Sequence, residues 1–246
     1  MRSRIVVYSV VVIVLALLVY FGLQADTRSF VGSLFAAAVS VLAVVFIEAE
    51  LRPDIQIVEE PQPAITPDGR KFLRVLVKNR PLWWPLKLIM DRRPANQARA
   101  WITFLTEKND LVFSEGRRMI GRWSATPEPV RPVSVSAHSD ANPTIGLLWD
   151  LSVTRDAVDV PSGAYETLDV VMRSPLEEGC RGWHNRMIQR ADTPSEDQFE
   201  LGKARYRALV RIDVSGRSFR GLFRIVCDVG IEDFRLEPLP LDPHLR

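Results

Sequence analysis

The chain has few of the residues from which catalytic and metal centres are built. Its 246 residues include only two cysteines, Cys180 and Cys227, and three histidines. Two cysteines exclude a disulfide framework; they could form one bridge, but free thiols in a reducing compartment are the simpler interpretation. The charges nearly cancel, with a formal net charge of +2, so the composition does not favour nucleic acid as a partner.

The short sequence motifs that accompany catalysis are also absent. The chain has no His-Glu-x-x-His, Gly-x-Ser-x-Gly, P-loop, Gly-x-Gly-x-x-Gly or paired Cys-x-x-Cys. Cys180 and His184 have helical spacing but no further ligands with which to hold a metal ion. We therefore predict no catalytic residue, no metal and no cofactor. An enzyme would need His138 or His184 beside a carboxylate and a nucleophile.

Two apolar runs open the chain, and no proline precedes Pro53. Residues 5–23 and 30–47 contain no charged side chain, and a helix of roughly 17–25 residues spans the hydrocarbon core of a bilayer. In lipid, only a helix satisfies the hydrogen bonds of its own backbone. The pattern predicts a transmembrane helical hairpin over residues 1–50.

Basic residues around these runs predict the orientation of the hairpin. Arg2 and Arg4 precede the first run, whereas the loop between the runs carries only Arg28. By the positive-inside rule, both ends of the hairpin lie in the cytoplasm. A second interpretation makes residues 1–25 a cleaved signal peptide and still leaves the rest of the chain inside. We expect a multi-pass protein of the cell membrane with a cytoplasmic domain.

Small side chains recur along the second apolar run, and such a stripe lets two helix backbones approach closely. It could pack against the first helix or join two copies of the chain. The stripe consists of Gly32, Ala36, Ser40 and Ala43.

From Asp54 onward, apolar and polar residues alternate in short runs separated by turn residues. Alternation with period two indicates half-buried strands. We therefore predict an antiparallel all-β domain over residues 51–236, either an immunoglobulin-like sandwich or a barrel. Three prolines in residues 237–246 predict an extended tail. The predicted strands cover 54–60, 71–78, 98–106, 166–172, 205–214 and 219–227.

The end of the chain resembles the closing strands of immunoglobulin-like sandwiches. Leu201-Gly202, then Tyr206 and alternating apolar residues carry this resemblance, which covers about the last 50 residues. The layout of two apolar helices followed by a β domain also resembles the two-transmembrane effectors of bacterial antiphage signalling. That resemblance implies a β domain that senses a cyclic nucleotide, and it assigns no site residue.

Adjacent tryptophans, Trp83 and Trp84, follow Arg80 in the sequence. Tryptophan flanked by positive charge is typical of a membrane interface, where each Lys or Arg adds about 1 kcal/mol of attraction to an anionic leaflet. We predict that this segment contacts the lipid bilayer. The alternative is that one tryptophan caps the core, since neighbours on a strand point in opposite directions. The basic residues predicted at this interface are Lys78, Lys87 and Arg80.

Four arginines project from one face of the last predicted hairpin. A two-residue turn at Ser215-Gly216 would place Arg211 opposite Arg220 and Arg207 opposite Arg224, whereas a turn at Gly216-Arg217 would instead pair Asp213 with Arg220. Like charges that face each other across strands are unfavourable, so an anion should lie nearby. Acidic side chains, lipid phosphate or a nucleotide could supply it, or the face could be solvated, with arginine stems covering leucines.

These observations leave three functions open. The leading hypothesis is a non-enzymatic, membrane-anchored module that binds a protein partner, a second copy or a ligand at the cytoplasmic surface. The second is a ligand-gated effector in which the four arginines bind an anionic nucleotide. The third is an enzyme tethered to the membrane.

Overall fold

In a computed structural model, the chain forms two compact units, Met1–Arg52 and Pro53–Arg246. In segments 30–36, 130–135 and 144–149 only the backbone is described. The described residues are 30–60, 62–84, 86–113, 118–125, 130–135, 144–149, 156–184 and 199–241.

The structure contradicts the predicted transmembrane hairpin. Its first helix, 5–23, lies outside the described residues, which contain a single α-helix, α1, at Phe30–Leu51. Within the described part of the chain, no helix is both long enough and apolar enough to cross a membrane. The last turn of α1 carries Glu48 and Glu50, so the charge-free part of the helix is at the short end of the roughly 17–25 residues that a span requires. The predictions of a two-pass protein and of multi-pass localisation in the cell membrane are therefore wrong.

The predicted packing stripe of α1 is described only in part. The side chains of Gly32 and Ala36 lie outside the described residues, whereas Ser40 is exposed and Ala43 is half-buried. Pro53 accounts for the end of the helix, because proline cannot continue a helix and disfavours helical geometry in the residue before it.

The second unit consists mostly of β-strands, which pair in antiparallel fashion and form two main sheets. In the first sheet, the order is β1-β3-β10-β11-β12, with β2 paired to β3 and β6 paired to β10. Its strands are β1 Ile55–Glu59, β2 Ala64–Ile65, β3 Lys71–Asn79, β6 Arg122–Trp123, β10 Tyr165–Arg173, β11 Cys180–Gly182 and β12 Glu200–Leu201.

The second sheet has the order β15-β14-β13-β4-β5, with β9 paired to β4, and a separate hairpin is formed by β7 and β8. Its strands are β4 Ala95–Thr106, β5 Met119–Ile120, β9 Ala157–Val160, β13 Arg205–Val214, β14 Arg217–Val226 and β15 Arg235–Leu239. The hairpin strands are β7 Val130–Val135 and β8 Thr144–Trp149.

One hydrophobic core is shared by the two sheets. It contains Val75 and Leu168 from the first sheet and Ile102, Val210 and Ile225 from the second, all fully buried. These are the inward-facing residues that period-two alternation predicted. The predicted antiparallel β body is confirmed, and each of the six predicted strands overlaps an observed one.

The C-terminal segment is partly a strand. β15 runs to Leu239 and pairs with β14, so residues 237–239 belong to the second sheet. Residues 242–246 of the predicted tail lie outside the described residues.

Close approach between the sheets depends on one glycine of β14. A Cβ atom added at Gly221 would lie 3.2 Å from the Cβ of Ile57 on β1 and 2.9 Å from the ring of Phe223. The absence of a side chain at residue 221 therefore lets β1 pack against β14 where the two sheets meet.

Candidate functional site: an aromatic and cationic surface

The connector between β3 and β4, residues 80–94, carries an exposed apolar cluster. Trp83 and Trp84 are 44% and 74% exposed, and Leu88 and Ile89 are 73% and 76% exposed. We call these four side chains the aromatic surface. Exposed apolar side chains that occur singly are normal on proteins, whereas a contiguous group marks an interaction site.

A short 3₁₀ turn at Leu86–Leu88 shapes this segment. The amide of Lys87 donates to the carbonyl of Trp83 at 3.2 Å, and the amide of Ile89 donates to the carbonyl of Leu86 at 3.0 Å. Leu82, only 3% exposed, anchors the start of the segment in the β domain. The cluster is therefore held by backbone hydrogen bonds and by one buried leucine.

Asn79, the last residue of β3, ties both ends of the connector to the β domain. It is fully buried, and its Nδ2 donates to the carbonyls of Arg93, at 3.0 Å, and Val160, at 3.2 Å. Its Oδ1 accepts from the amide of Asp54 at 3.2 Å. A single amide thus joins β1, β9 and the two ends of the connector.

Positive charge surrounds the aromatic surface. Lys78, Arg80 and Lys87 are exposed, as the sequence predicted for an interface. Residues 78–93 contain five basic residues and one acidic residue, Asp91. The Nε of Arg80 donates to Gln56 at 3.0 Å, which holds this guanidinium beside β1.

Both tryptophans are exposed, contrary to the alternative in which one caps the core. That alternative assumed a strand, in which neighbours point to opposite faces. Because Trp83 and Trp84 lie on the turn that leads into the 3₁₀ segment, both side chains reach the surface. Sequence reasoning missed Leu88 and Ile89, and also Asn79; the sequence signal for the two apolar residues was a run that continued past the tryptophans without strand alternation.

The four predicted arginines do share one face of the β13–β14 hairpin, which we call the arginine face. Ser215 and Gly216, with φ of 48° and 73°, form the two-residue turn. This register pairs Arg211 with Arg220 and Arg207 with Arg224 across the strands. Leu209 pairs with Leu222 between them, and Leu222 is only 3% exposed.

Acidic and amide side chains of the chain itself lie beside these arginines. Arg224 contacts Glu107 at 3.0 Å and Glu237 at 3.5 Å. The Nη1 of Arg207 donates to the Oδ1 of Asn109 at 2.8 Å. The anion that the sequence led us to expect is therefore supplied, at least for Arg224, from within the fold.

Asp213 neutralises Arg211 on the same face. The carboxylate accepts from the Nε of Arg211 at 2.7 Å and from the hydroxyl of Ser218. Partial burial acts to raise the pKa of Asp213, but these hydrogen bonds outweigh it and hold the pKa below its usual range.

The most deeply buried charge lies on β10. Asp169 is fully buried and accepts from the Nε of Arg74 at 2.7 Å, from the Nη1 of Arg122 at 2.9 Å and from the hydroxyl of Ser124 at 2.9 Å. These partners come from β3, from β6 and from the turn after β6. This network joins strands of the first sheet, and no sequence pattern indicated it.

Of the histidines considered for catalysis, only His184 lies among the described residues. His184 is buried, with its ring 5.5 Å from that of Phe199, whereas His138 and His244 lie outside the described residues. Among the described residues, no three metal-binding side chains are clustered.

The immunoglobulin-like ending has one structural counterpart. The backbone of Gly202 donates a hydrogen bond to the hydroxyl of Tyr206, as in the tyrosine corner of such sandwiches. Comparison of the chain with protein-family models, with curated proteins and with solved structures finds no match in any of the three.

Proposed function

We propose that this protein is a non-enzymatic binding module whose aromatic surface docks onto a layer of anionic lipid headgroups. The β domain itself makes this contact, which requires no membrane-spanning helix. The observation that carries the proposal is the joint exposure of Trp83, Trp84, Leu88 and Ile89 on one short connector.

The exposed side chains suit the boundary between headgroups and hydrocarbon. Tryptophan is enriched at that depth because its ring is apolar while its indole N–H can still reach water. Leu88 and Ile89 are purely apolar, and their burial among acyl chains would contribute about 1.5–3 kcal/mol each. A protruding turn can insert such residues without rearranging the sheets.

The charges support an anionic surface. The positive residues of segment 78–93 outnumber Asp91 five to one and flank the apolar residues on both sides along the chain. Each Lys or Arg near an anionic leaflet contributes about 1 kcal/mol of attraction, which falls off within a Debye length. The proposal therefore includes a preference for anionic over zwitterionic lipid and a loss of binding at high salt.

A nucleotide-sensing effector has less support. Its candidate pocket was the arginine face, where Asp213 accepts from Arg211 while Glu107 and Glu237 contact Arg224. A phosphate would have to displace these carboxylates from Arg211 and Arg224, which lowers the gain from binding an anion there.

Vesicle co-sedimentation of the purified full-length protein tests the proposal. The partition constant is measured for phosphatidylserine-containing vesicles and for phosphatidylcholine vesicles. For the Trp83→Ala/Trp84→Ala double variant, we expect the partition constant for the anionic vesicles to fall at least tenfold, which corresponds to about 1.4 kcal/mol or more. The matched control is Leu176→Ala, which removes a leucine that is 96% exposed on a distant turn.

The lipid assignment fails if the double variant binds anionic vesicles as the unchanged protein does. It also fails if the unchanged protein shows no preference for anionic vesicles. Analytical ultracentrifugation separates a different occupant: self-association that the double variant abolishes would assign the surface to a second copy of the chain and overturn the lipid proposal.

A further inference from the structure

We propose that Cys180 and Cys227 form an oxidation site in which the two thiols close to a disulfide that joins the two sheets. This inference is independent of the proposed function, because it concerns the interior of the β domain.

The two cysteines belong to different sheets. Cys180 begins β11 of the first sheet, and Cys227 directly follows β14 of the second. They are 1% and 0% exposed and belong to the same hydrophobic core. Each thiol shifts the pKa of the other, as only close neighbours do. The shared core and the contacts of Arg173 described next therefore bring together two thiols that are 47 positions apart in the sequence.

Arg173 holds together the two turns that carry these cysteines. Its Nη1 donates to the carbonyl of Val229 at 2.6 Å, two residues after Cys227, and its Nε donates to the carbonyl of Glu177 at 3.4 Å, three residues before Cys180. The guanidinium also lies 5.9 Å from the centroid of the Phe234 ring. A buried arginine thus fixes the distance between the strand ends on which the thiols lie.

The same surroundings make one thiol the nucleophile. The hydrogen bond from Cys180 and the charge of Arg173 together outweigh burial and lower the pKa of Cys227. The pKa of Cys180 is raised, chiefly by its hydrogen bond to Cys227 and by burial. Since the thiolate is the reactive form, Cys227 attacks first and Cys180 resolves.

A low-molecular-weight disulfide of the glutathione type is the oxidant. The Cys227 thiolate attacks one of its sulfurs, which forms a mixed disulfide and releases one thiolate. Cys180 then passes its proton to that thiolate and attacks the sulfur of Cys227, which forms the protein disulfide and releases a second small thiolate. This thiolate takes up the proton that Cys227 lost on ionisation. Two protein thiols are oxidised, and one small disulfide is reduced to two thiols.

Burial makes this site slow to react in the closed fold. The oxidant reaches the thiols when the ends of the β domain open locally, at the turn before Cys180 or at exposed Asp228 after Cys227. The disulfide then closes a loop of more than 40 residues and stabilises the fold mainly by restricting the unfolded chain.

The test incubates the full-length protein with glutathione disulfide under native conditions. Digestion without reductant should yield a peptide in which Cys180 is linked to Cys227, and the intact mass should fall by two hydrogen atoms. The melting temperature should rise by several degrees and return to its starting value when dithiothreitol is added.

Two single variants provide the controls. Cys180→Ala and Cys227→Ala each leave one thiol, so neither should gain melting temperature from the oxidant. The inference is overturned if the folded protein keeps both thiols available for alkylation after full exposure to the oxidant. Oxidation that yields only glutathione adducts or links between chains would overturn it as well.

Discussion

The aromatic surface and the arginine face are both rich in basic residues, but they differ in counter-charges and in the exposure of their apolar side chains. On the arginine face, Asp213, Glu107 and Glu237 lie against arginines, and the leucine pair beneath is partly or fully covered. On the aromatic surface, Trp84 and Ile89 are about three-quarters exposed. A cluster of like charges in a sequence is thus a weak indicator of a binding site when the fold supplies counter-charges. Large apolar side chains left in water are the stronger indicator.

The largest effect is expected where one buried carboxylate pairs with two arginines. Replacing Asp169 with alanine leaves Arg74 and Arg122 without the carboxylate that joins them and should lower the free energy of unfolding by about 3–5 kcal/mol. Equilibrium unfolding in urea measures this loss. The comparison variant is Arg224→Gln, which removes a partly exposed pair and should cost about 1 kcal/mol or less. Equal losses in the two variants would contradict our view that burial separates the two kinds of pair.

A smaller effect is expected at the base of the aromatic surface. Asn79→Ala removes two donated hydrogen bonds and one accepted hydrogen bond from a fully buried position and should cost about 1–3 kcal/mol. It should also weaken vesicle binding, because both ends of the connector lose their attachment to the β domain. Asn96→Ala, at an exposed asparagine of β4, should change neither quantity. Unchanged vesicle binding in a folded Asn79→Ala variant would show that the connector needs no such attachment.

The sequence predicts the features of this structure that depend on local patterns and misses those that depend on contacts between distant residues. Strands such as β13 could be predicted because their alternation is local, and even the Ser215-Gly216 turn followed as one of two registers. Asp169 could not be recognised as buried, because a charged residue between apolar ones indicates a solvent-facing position. The contact between Cys180 and Cys227 depends on how two sheets pack, which no local pattern encodes.

Two errors have a common cause, which is the inference of geometry from composition. The apolar runs predicted a transmembrane hairpin, but no helix in the described part of the chain meets the requirements of a span. The alternative in which one tryptophan of the pair caps the core assumed a strand, whereas the segment leads into a turn. In both cases the residue types were interpreted correctly, but the backbone conformation was predicted wrongly.

The smallest effect is expected at the arginine face, in the pH dependence of stability. Because hydrogen bonds from Arg211 and Ser218 hold the pKa of Asp213 below its usual range in the folded state, this carboxylate stabilises the fold above its unfolded pKa, which is about 3.9. That contribution is lost as the pH falls through the folded pKa. Asp213→Asn should therefore lower stability at pH 7 by a few tenths to about 1 kcal/mol and reduce the loss between pH 5 and pH 2. Melting temperatures across that range measure the difference, with Asp233→Asn, at an exposed aspartate, as the control. If the two variants show the same acid dependence, the carboxylate of Asp213 does not stabilise the arginine face. An anion from outside the chain would then be the expected counter-charge for these arginines.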